Sequence, residues 1–229
     1  MARDHDMAME ILRHNQGFAN PDKWVDYAIK HSFTKVSGVR LKRCPDCGEC
    51  PRTTLGQYVY YSTLIRLRRC GNCDLIWADV HLDPGVVSAH FEVAYKDRDY
   101  FLESRLWIFE HLVEQIGRLT PLGGRVLDIG GAQGDLMHLL RQRRPDIDPV
   151  VQDISEASVQ YAQDHFGLRA ICGGIGSLRS MSGEFDVVVL SDALYYEPRL
   201  ADFWRTLPKI LASGGSVVFR VPNKLLFIR

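Results

Sequence analysis

Five of the six cysteines fall between Cys44 and Cys73, as Cys44-Pro-Asp-Cys47-Gly48-Glu-Cys50 and Cys70-Gly-Asn-Cys73. In Cys-x2-Cys turns, a glycine after or between the thiols lets backbone N–H groups point at sulfur. Four thiolates brought together in this way make a closed tetrahedral site suited to Zn2+. The candidate ligands are Cys44, Cys47, Cys70 and Cys73. Two separate reduced pairs, or one redox-active Cys-x2-Cys, are the other readings of the same spacing. Cys50 is left as a spare thiol and Cys172 as a packing residue. A four-thiolate site has no open coordination position, so the metal is expected to hold a module together and to take no part in chemistry.

A second constellation is Val126-Leu-Asp-Ile-Gly-Gly-Ala-Gln-Gly134, between an apolar run and an amphipathic one. Gly130, Gly131, Ala132 and Gly134 let backbone approach a ligand closely. Asp153 ends the next apolar run, 23 residues after Gly130, where a carboxylate can accept hydrogen bonds from both hydroxyls of a ribose. A nucleoside-containing ligand follows; a strand-to-helix turn that binds nothing is the plainer alternative. Asp135 stands where a dinucleotide fingerprint carries its third glycine, and a carboxylate at a helix start repels a pyrophosphate. With Asp128 at the strand end, the pattern favours a ligand carrying a cationic amino group, as S-adenosylmethionine does.

These residues need a framework, and from Arg125 the chain alternates short apolar runs with amphipathic ones. The pattern predicts strands at 125–129, 148–152, 170–172, 185–190 and 216–221, with helices at 135–143, 155–166 and 200–212. Apolar strands separated by amphipathic helices imply an α/β fold with a doubly wound, mostly parallel sheet covered on both faces. A helix over Glu103–Leu119, ended by Pro121-Leu-Gly-Gly124, leads into it. Upstream, 39–82 reads as a small zinc-ribbon-like module with hairpin strands at Tyr58–Tyr61 and Leu64–Arg68. Residues 1–38 carry helical readings at Asp6–His14 and from Asn20-Pro21. The expected division is thus 1–38, 39–82 and 83–229.

Of 229 residues, 46% are hydrophobic and 24% charged, which excludes a disordered or coiled-coil chain and allows a sizeable core. Lys+Arg and Asp+Glu are 28 each, so global charge gives no reason to expect nucleic acid or an anionic membrane. Locally, Lys35, Arg40, Lys42, Arg43, Arg52, Arg66, Arg68 and Arg69 oppose only Asp46 and Glu49, a net +6 over residues 35–69. That segment could meet a diphosphate or RNA, or be a solvated face that offsets thiolate charge. With no targeting segment and no apolar run near ~20 residues, the chain is expected to be cytoplasmic and without a membrane partner.

At these motifs, over Arg125–Asn223, the sequence resembles the class I S-adenosylmethionine-dependent methyltransferases. The resemblance is carried by Asp128–Gly134, Val151-Gln-Asp-Ile-Ser155, Phe185–Asp192, and Leu211–Val218 followed by Val221-Pro-Asn223. It implies that Gly130–Gly134 pack against the methionine part of the cofactor, that Asp153 holds the ribose, and that Ile154 touches the adenine. Ser191 would offer backbone to the amino group. After the third strand, where many relatives place an Asp against the adenine, this chain reads Cys172-Gly-Gly174-Ile175, so Gly174 and Ile175 are the cofactor-binding candidates there and Gly174 offers backbone only. A zinc module followed by such a core resembles the subgroup that includes sugar C-methyltransferases acting on nucleotide-linked keto sugars. The stretch from His90 through Tyr95 to Phe101 resembles the Tyr-rich segment that covers the cofactor there; a packed aromatic cluster is the other reading. Tyr195-Tyr196 replaces the Glu-His of many small-molecule relatives. Tyr195, Tyr196, Asp192 and His90 are therefore the candidates on the substrate side. The implied function is methyl transfer from S-adenosylmethionine to a small, nucleotide-linked sugar or other biosynthetic substrate, with structural Zn2+. An RNA methyltransferase guided by the basic module, or a non-catalytic cofactor-binding subunit, are the alternatives. The family's sheet usually continues past the fifth strand, so 216–221 is expected to be an edge covered by a homodimer partner, another chain or later residues.

Overall fold

The computed structural model describes residues 38–60, 63–82, 98–197 and 200–221. They form two compact units, one within 38–82 and one within 98–221. The helical readings before residue 38 lie outside the described residues, as do His90 and Tyr95.

The first unit consists of β1 (Gly38–Arg40), β2 (Pro51–Tyr60), β3 (Thr63–Cys70), β4 (Ile76–Ala78) and β5 (Val80–Leu82). β2, β3 and β4 form an antiparallel sheet in that order, and β1 pairs antiparallel with β5. The expected hairpin forms, with Tyr58 opposite Ile65, and it runs on until Pro51 faces Cys70. It thereby brings the second cysteine turn to the end of β3, beside the first. Among the described residues, Cys44, Cys70 and Trp77 form an apolar cluster with Leu41 and Leu75 against them, and Ile65 and Val80 are also buried.

In the second unit, α1 (Arg98–Leu119) leads into β6 (Arg125–Ile129), α2 (Asp135–Arg143), β7 (Asp148–Asp153), α3 (Glu156–Phe166) and β8 (Arg169–Cys172). A short 3-10 turn at Ile175–Leu178 precedes β9 (Phe185–Ser191), a second one at Leu194–Tyr196 precedes α4 (Leu200–Ile210), and β10 (Leu211–Arg220) follows. The strands pair in parallel in the order β10-β9-β6-β7-β8. Alternate strand residues serve two separate cores, as the period of two requires. Val126, Val151, Val187 and Val189 join α1, α2 and α3 through residues such as Ile116, Met137 and Ala162. Leu127, Val150, Val188 and Leu190 join Phe203, Leu207 and Ile210 of α4. Burial on both faces explains why the strands read as continuous apolar runs.

Helix boundaries have local causes. The Ser155 hydroxyl caps α3 by accepting the Ser158 N–H at 3.2 Å, and Gly167 closes the helix at φ 57°. β10 differs from expectation, beginning at Leu211 instead of Ser216. The register shifts between these residues, where Gly214 takes φ 77°, so the glycines bend the strand without delaying its start. Its outer side is an edge of the described sheet, with Phe219 and Val221 exposed. No described helix is long and apolar enough to cross a membrane.

Candidate cofactor site and metal centre

The chain leaves β6 for the neighbouring β7 and β8, then returns to pair β9 on the other side of β6. This opens a crevice beyond the carboxyl ends of β6 and β9. The glycine-rich turn lies there and is clamped from β7. Gly130 N and Gly131 N both donate to Gln152 O, at 2.7 and 3.1 Å, and Ala132 N donates to Asp153 Oδ2 at 2.9 Å. Asp153 Oδ1 accepts from Ser155 N at 2.9 Å, tying the same carboxylate to the start of α3. Close approach dictates the glycines. A Cβ on Gly130, which sits at φ 71°, would lie 2.6 Å from Ala193 Cβ, and one on Gly131 would lie 2.8 Å from Asp128 Oδ2. Ala132 holds φ 50°, a left-handed conformation that costs a residue with a Cβ roughly 1–2 kcal/mol.

Two carboxyl groups lie behind this turn. Asp128 is 2% exposed, and burial first, then the negative charge of Asp153, pushes it up to about 8. At neutral pH it is therefore largely protonated, and a cation arriving beside it would favour its ionised form. Past Asp153, Ile154 is 39% exposed, an apolar surface at the crevice rim. Gly173 N donates to Asp153 O at 2.9 Å and Gln152 Nε2 donates to Gly173 O, which fixes the turn after β8. Ile175, the other cofactor-binding candidate on this loop, follows Gly174. It is 3% exposed in the core with Leu178 and Phe185, so this stretch presents the backbone of Gly173 and Gly174.

Ser191 ends β9 opposite Arg220 of β10. Asp192 follows at φ 59°, its N–H donating to Arg220 O at 2.9 Å and its carboxylate accepting from Arg220 Nη1. Tyr195 and Tyr196 sit on the next turn with ring centroids 4.5 Å apart. The structure thus gathers Asp128, Gly130–Gly134, Asp153, Ile154, Gly174, Ser191, Asp192 and the two tyrosines around loops at one end of the sheet. Sequence reasoning missed Gln152, Ala193 and Arg220. Of these only Arg220 left a signal, a charge inside the apolar run Ser216–Val221.

In the first unit the four predicted thiols converge, all ligand atoms lying within 4.8 Å of one another. Cys44 Sγ is 3.6 Å from Cys73 Sγ and Cys47 Sγ is 3.4 Å from Cys70 Sγ, far beyond a disulfide bond. Zn–S bonds of about 2.3 Å in a tetrahedron require S···S edges of about 3.8 Å, so the cluster fits Zn2+. The two turns are built alike. Cys44 N donates to Glu49 O and Cys70 N to Leu75 O, while the residues just after the second thiols, Gly48 and Asp74, both have positive φ. Backbone N–H groups of Cys73 and Asn72 bring Cys70 down to about 7. Cys73 is pushed up to about 12, since burial and the neighbouring thiols outweigh the Leu75 N–H that lowers it.

The basic segment looks different once folded. Asp79, 1% exposed, meets Arg40 Nη1 at 2.7 Å and Arg66 Nη1 and Arg68 Nε at 3.6 Å each, and it accepts the Arg66 N–H at 2.8 Å. Burial opposes its charge, yet that N–H and the arginines hold the carboxyl below its usual range. Arg69 meets Asp74 at 3.0 Å. Among the described residues, Arg40, Arg66, Arg68 and Arg69 are therefore ion-paired within the module, and Arg43 Nη1 donates to Gly48 O at 3.1 Å.

The methyltransferase-domain family matches residues 98–228, more than half of the chain. Among solved structures, a candidate methyltransferase of Haloferax volcanii, in complex with the Trm112 methyltransferase activator, is 26% identical with a TM-score of 0.48; the match covers 56% of this chain and 57% of that one. A candidate sarcosine dimethylglycine methyltransferase of Galdieria sulphuraria is 13% identical with a TM-score of 0.44, over 48% and 44% of the two chains. A TehB-like methyltransferase of Corynebacterium glutamicum is 22% identical with a TM-score of 0.45, over 57% and 72%. The chain thus spans about half the length of the first two. No curated protein matches.

Proposed function

The chain belongs to the methyltransferase-domain family, and from that premise we propose that it transfers the methyl group of S-adenosylmethionine to a small biosynthetic acceptor, a nucleotide-linked sugar being the class favoured by the sequence resemblance. The observation that carries the cofactor reading is the turn 130–134, clamped by Gln152 and Asp153 at the switch point of the sheet. The Asp153 carboxylate, which accepts from Ala132 N and Ser155 N at the edge of this turn, would also accept the ribose hydroxyls. Ile154 would offer its exposed side chain to the adenine, and the Gly173–Gly174 backbone would pass beside it. Asp128 would ionise against the amino group, and Ser191 would present backbone to it.

When bound, S-adenosylmethionine supplies a methyl group already activated on a sulfonium. The task of the protein is then to align the acceptor with it and to exclude water. Tyr195 and Tyr196, with His90, are the residues proposed to face the acceptor and to take its proton where one must leave. Zn2+ held by Cys44, Cys47, Cys70 and Cys73 would keep the first unit folded. The gathering of Arg40, Arg66 and Arg68 on Asp79 favours a small acceptor over RNA, because those charges already have partners.

Calorimetric titration with S-adenosylhomocysteine and with NAD tests the reading. Micromolar binding of the former and none of the latter is expected, since Asp135 occupies the third-glycine position of a dinucleotide fingerprint. A folded protein that binds neither ligand, or prefers NAD, would refute it.

A further inference from the structure

Asp192 has the position of a reacting group, at the carboxyl end of β9, but its contacts are those of a fastener. Its N–H extends the β9–β10 ladder by donating to Arg220 O, and its side chain accepts from the guanidinium of the same residue. Between these two bonds the backbone takes φ 59°. Asp and Asn enter this region more readily than most residues, but the conformation persists only where its surroundings hold it. The next residue, Ala193, is the one whose Cβ would meet a side chain on Gly130 at 2.6 Å. The exit of β9 therefore abuts the first glycine of the 130–134 turn. Ala193 O also accepts Tyr196 N at 3.0 Å, so the tyrosine turn hangs from the same point.

We infer that Asp192 and Arg220 form a positioning latch, through which β10 fixes the exit of β9, seats Ala193 on Gly130, and so holds the glycine turn in its binding geometry. Asp192 is then a positioning residue and not the base that removes a proton from the acceptor. Burial, and then the charge of Arg105, lower the pKa of Arg220, an environment in which removing one partner of the pair leaves the other charge uncompensated. The latch lies where the parallel register sets Arg220 beside Ser191, so it is a consequence of strand pairing and not of the family's cofactor motifs. The inference depends on the methyltransferase reading only for the ligand used as probe.

The test uses the full chain with Arg220→Gln, Arg220→Lys, Asp192→Asn, Asp192→Ala and the Asp192→Ala/Arg220→Gln pair. S-adenosylhomocysteine affinity, apoprotein melting temperature and amide hydrogen exchange over 130–134 and 192–197 are read for each. Arg220→Gln should weaken binding about tenfold and speed exchange in both segments while β6 and β7 keep their protection. Arg220→Lys should recover most of the affinity. Asp192→Asn, which tolerates the left-handed conformation and still offers an acceptor, should stay within about threefold of the parent. The double variant should be no worse than Asp192→Ala alone, which already carries the cost of Ala at φ 59°, because both changes open one latch. Binding within twofold of the parent in Arg220→Gln, with exchange in both segments unchanged, would overturn the inference. So would affinity that falls only in step with melting temperature. Should the parent itself not bind S-adenosylhomocysteine, the cofactor reading fails, and the exchange data on the apoprotein still decide the latch.

Discussion

Replacing Asp128 with Asn should make the unliganded protein more stable and the cofactor bind less well. Asp128 lies beside Asp153 in a buried site and is raised to about 8 from 3.8. The folded state therefore holds a proton that the unfolded chain releases, and between about pH 4 and pH 8 stability falls as pH rises. At pH 7 the displacement amounts to about three units, and at about 1.4 kcal/mol per unit the ceiling on this penalty is roughly 4 kcal/mol. A carboxamide of the same shape has no proton to lose. Asp128→Asn should thus match the parent near pH 4, gain on it as pH rises, and reach its full advantage around pH 8. Hydrogen exchange of the β6 and β7 amides, compared between parent and variant at each pH, reports this unit without the other. Binding should run the opposite way. If an ammonium group ionises Asp128, binding near pH 7 releases close to one proton from the parent and none from the variant, which calorimetry in buffers of different ionisation enthalpy detects. A stability difference that does not change with pH, or a variant less stable than the parent at pH 8, would refute the electrostatic reasoning.

Elemental analysis should find about one zinc per chain, with chelation releasing the fold of residues 38–82 while the 98–221 unit keeps its protection. Asp79→Ala, which strips the shared acceptor from Arg40, Arg66 and Arg68, should cost the first unit about 1.5–3 kcal/mol, read as metal loss at lower chelator concentration. Gly130→Ala meets Ala193 at φ 71° and should cost roughly 2–5 kcal/mol in thermal unfolding, whereas Gly174→Ala meets no atom within 4 Å and should change it by less than about 0.5 kcal/mol.

What could be read from sequence followed from local rules. β6 and α2 begin and end where the apolar run, the glycine turn and Asp135 place them, because strands buried on both faces and amphipathic helices leave distinct patterns. The convergence of Cys44, Cys47, Cys70 and Cys73 was legible from spacing, but the shape of the second turn was not: its left-handed position falls on Asp74 and not on Gly71, and spacing does not specify φ. The basic segment misled for a related reason. Charge counted along the chain to residue 69 stops short of Asp74 and Asp79, which the pairing of β3 with β4 and the course of the chain bring back to the arginines. Asp192 reads as a candidate for chemistry because it ends a strand, and its partner lies 28 residues further on, set beside it by the parallel register of β9 and β10.

The two acidic residues of the crevice divide their work through burial. Asp153 serves the fold with both oxygens, accepting from Ala132 N and from Ser155 N. On the proposed reading these two bonds hold the turn whether or not a ribose is bound, whereas loss of Asp153 would strip acceptors from two backbone N–H groups and from the ligand together. For that reason an Asp153→Ala variant would confound stability with binding, and Asp128 is the better probe of the site. Its proton is the variable quantity: with burial and Asp153 acting on it, Asp128 is largely protonated at neutral pH, and an arriving positive group would favour its ionised form. A site that gains one negative charge as one ammonium enters discriminates by charge as well as by shape. A pyrophosphate, facing Asp135 and offering no cation to relieve Asp128, would be refused on both counts.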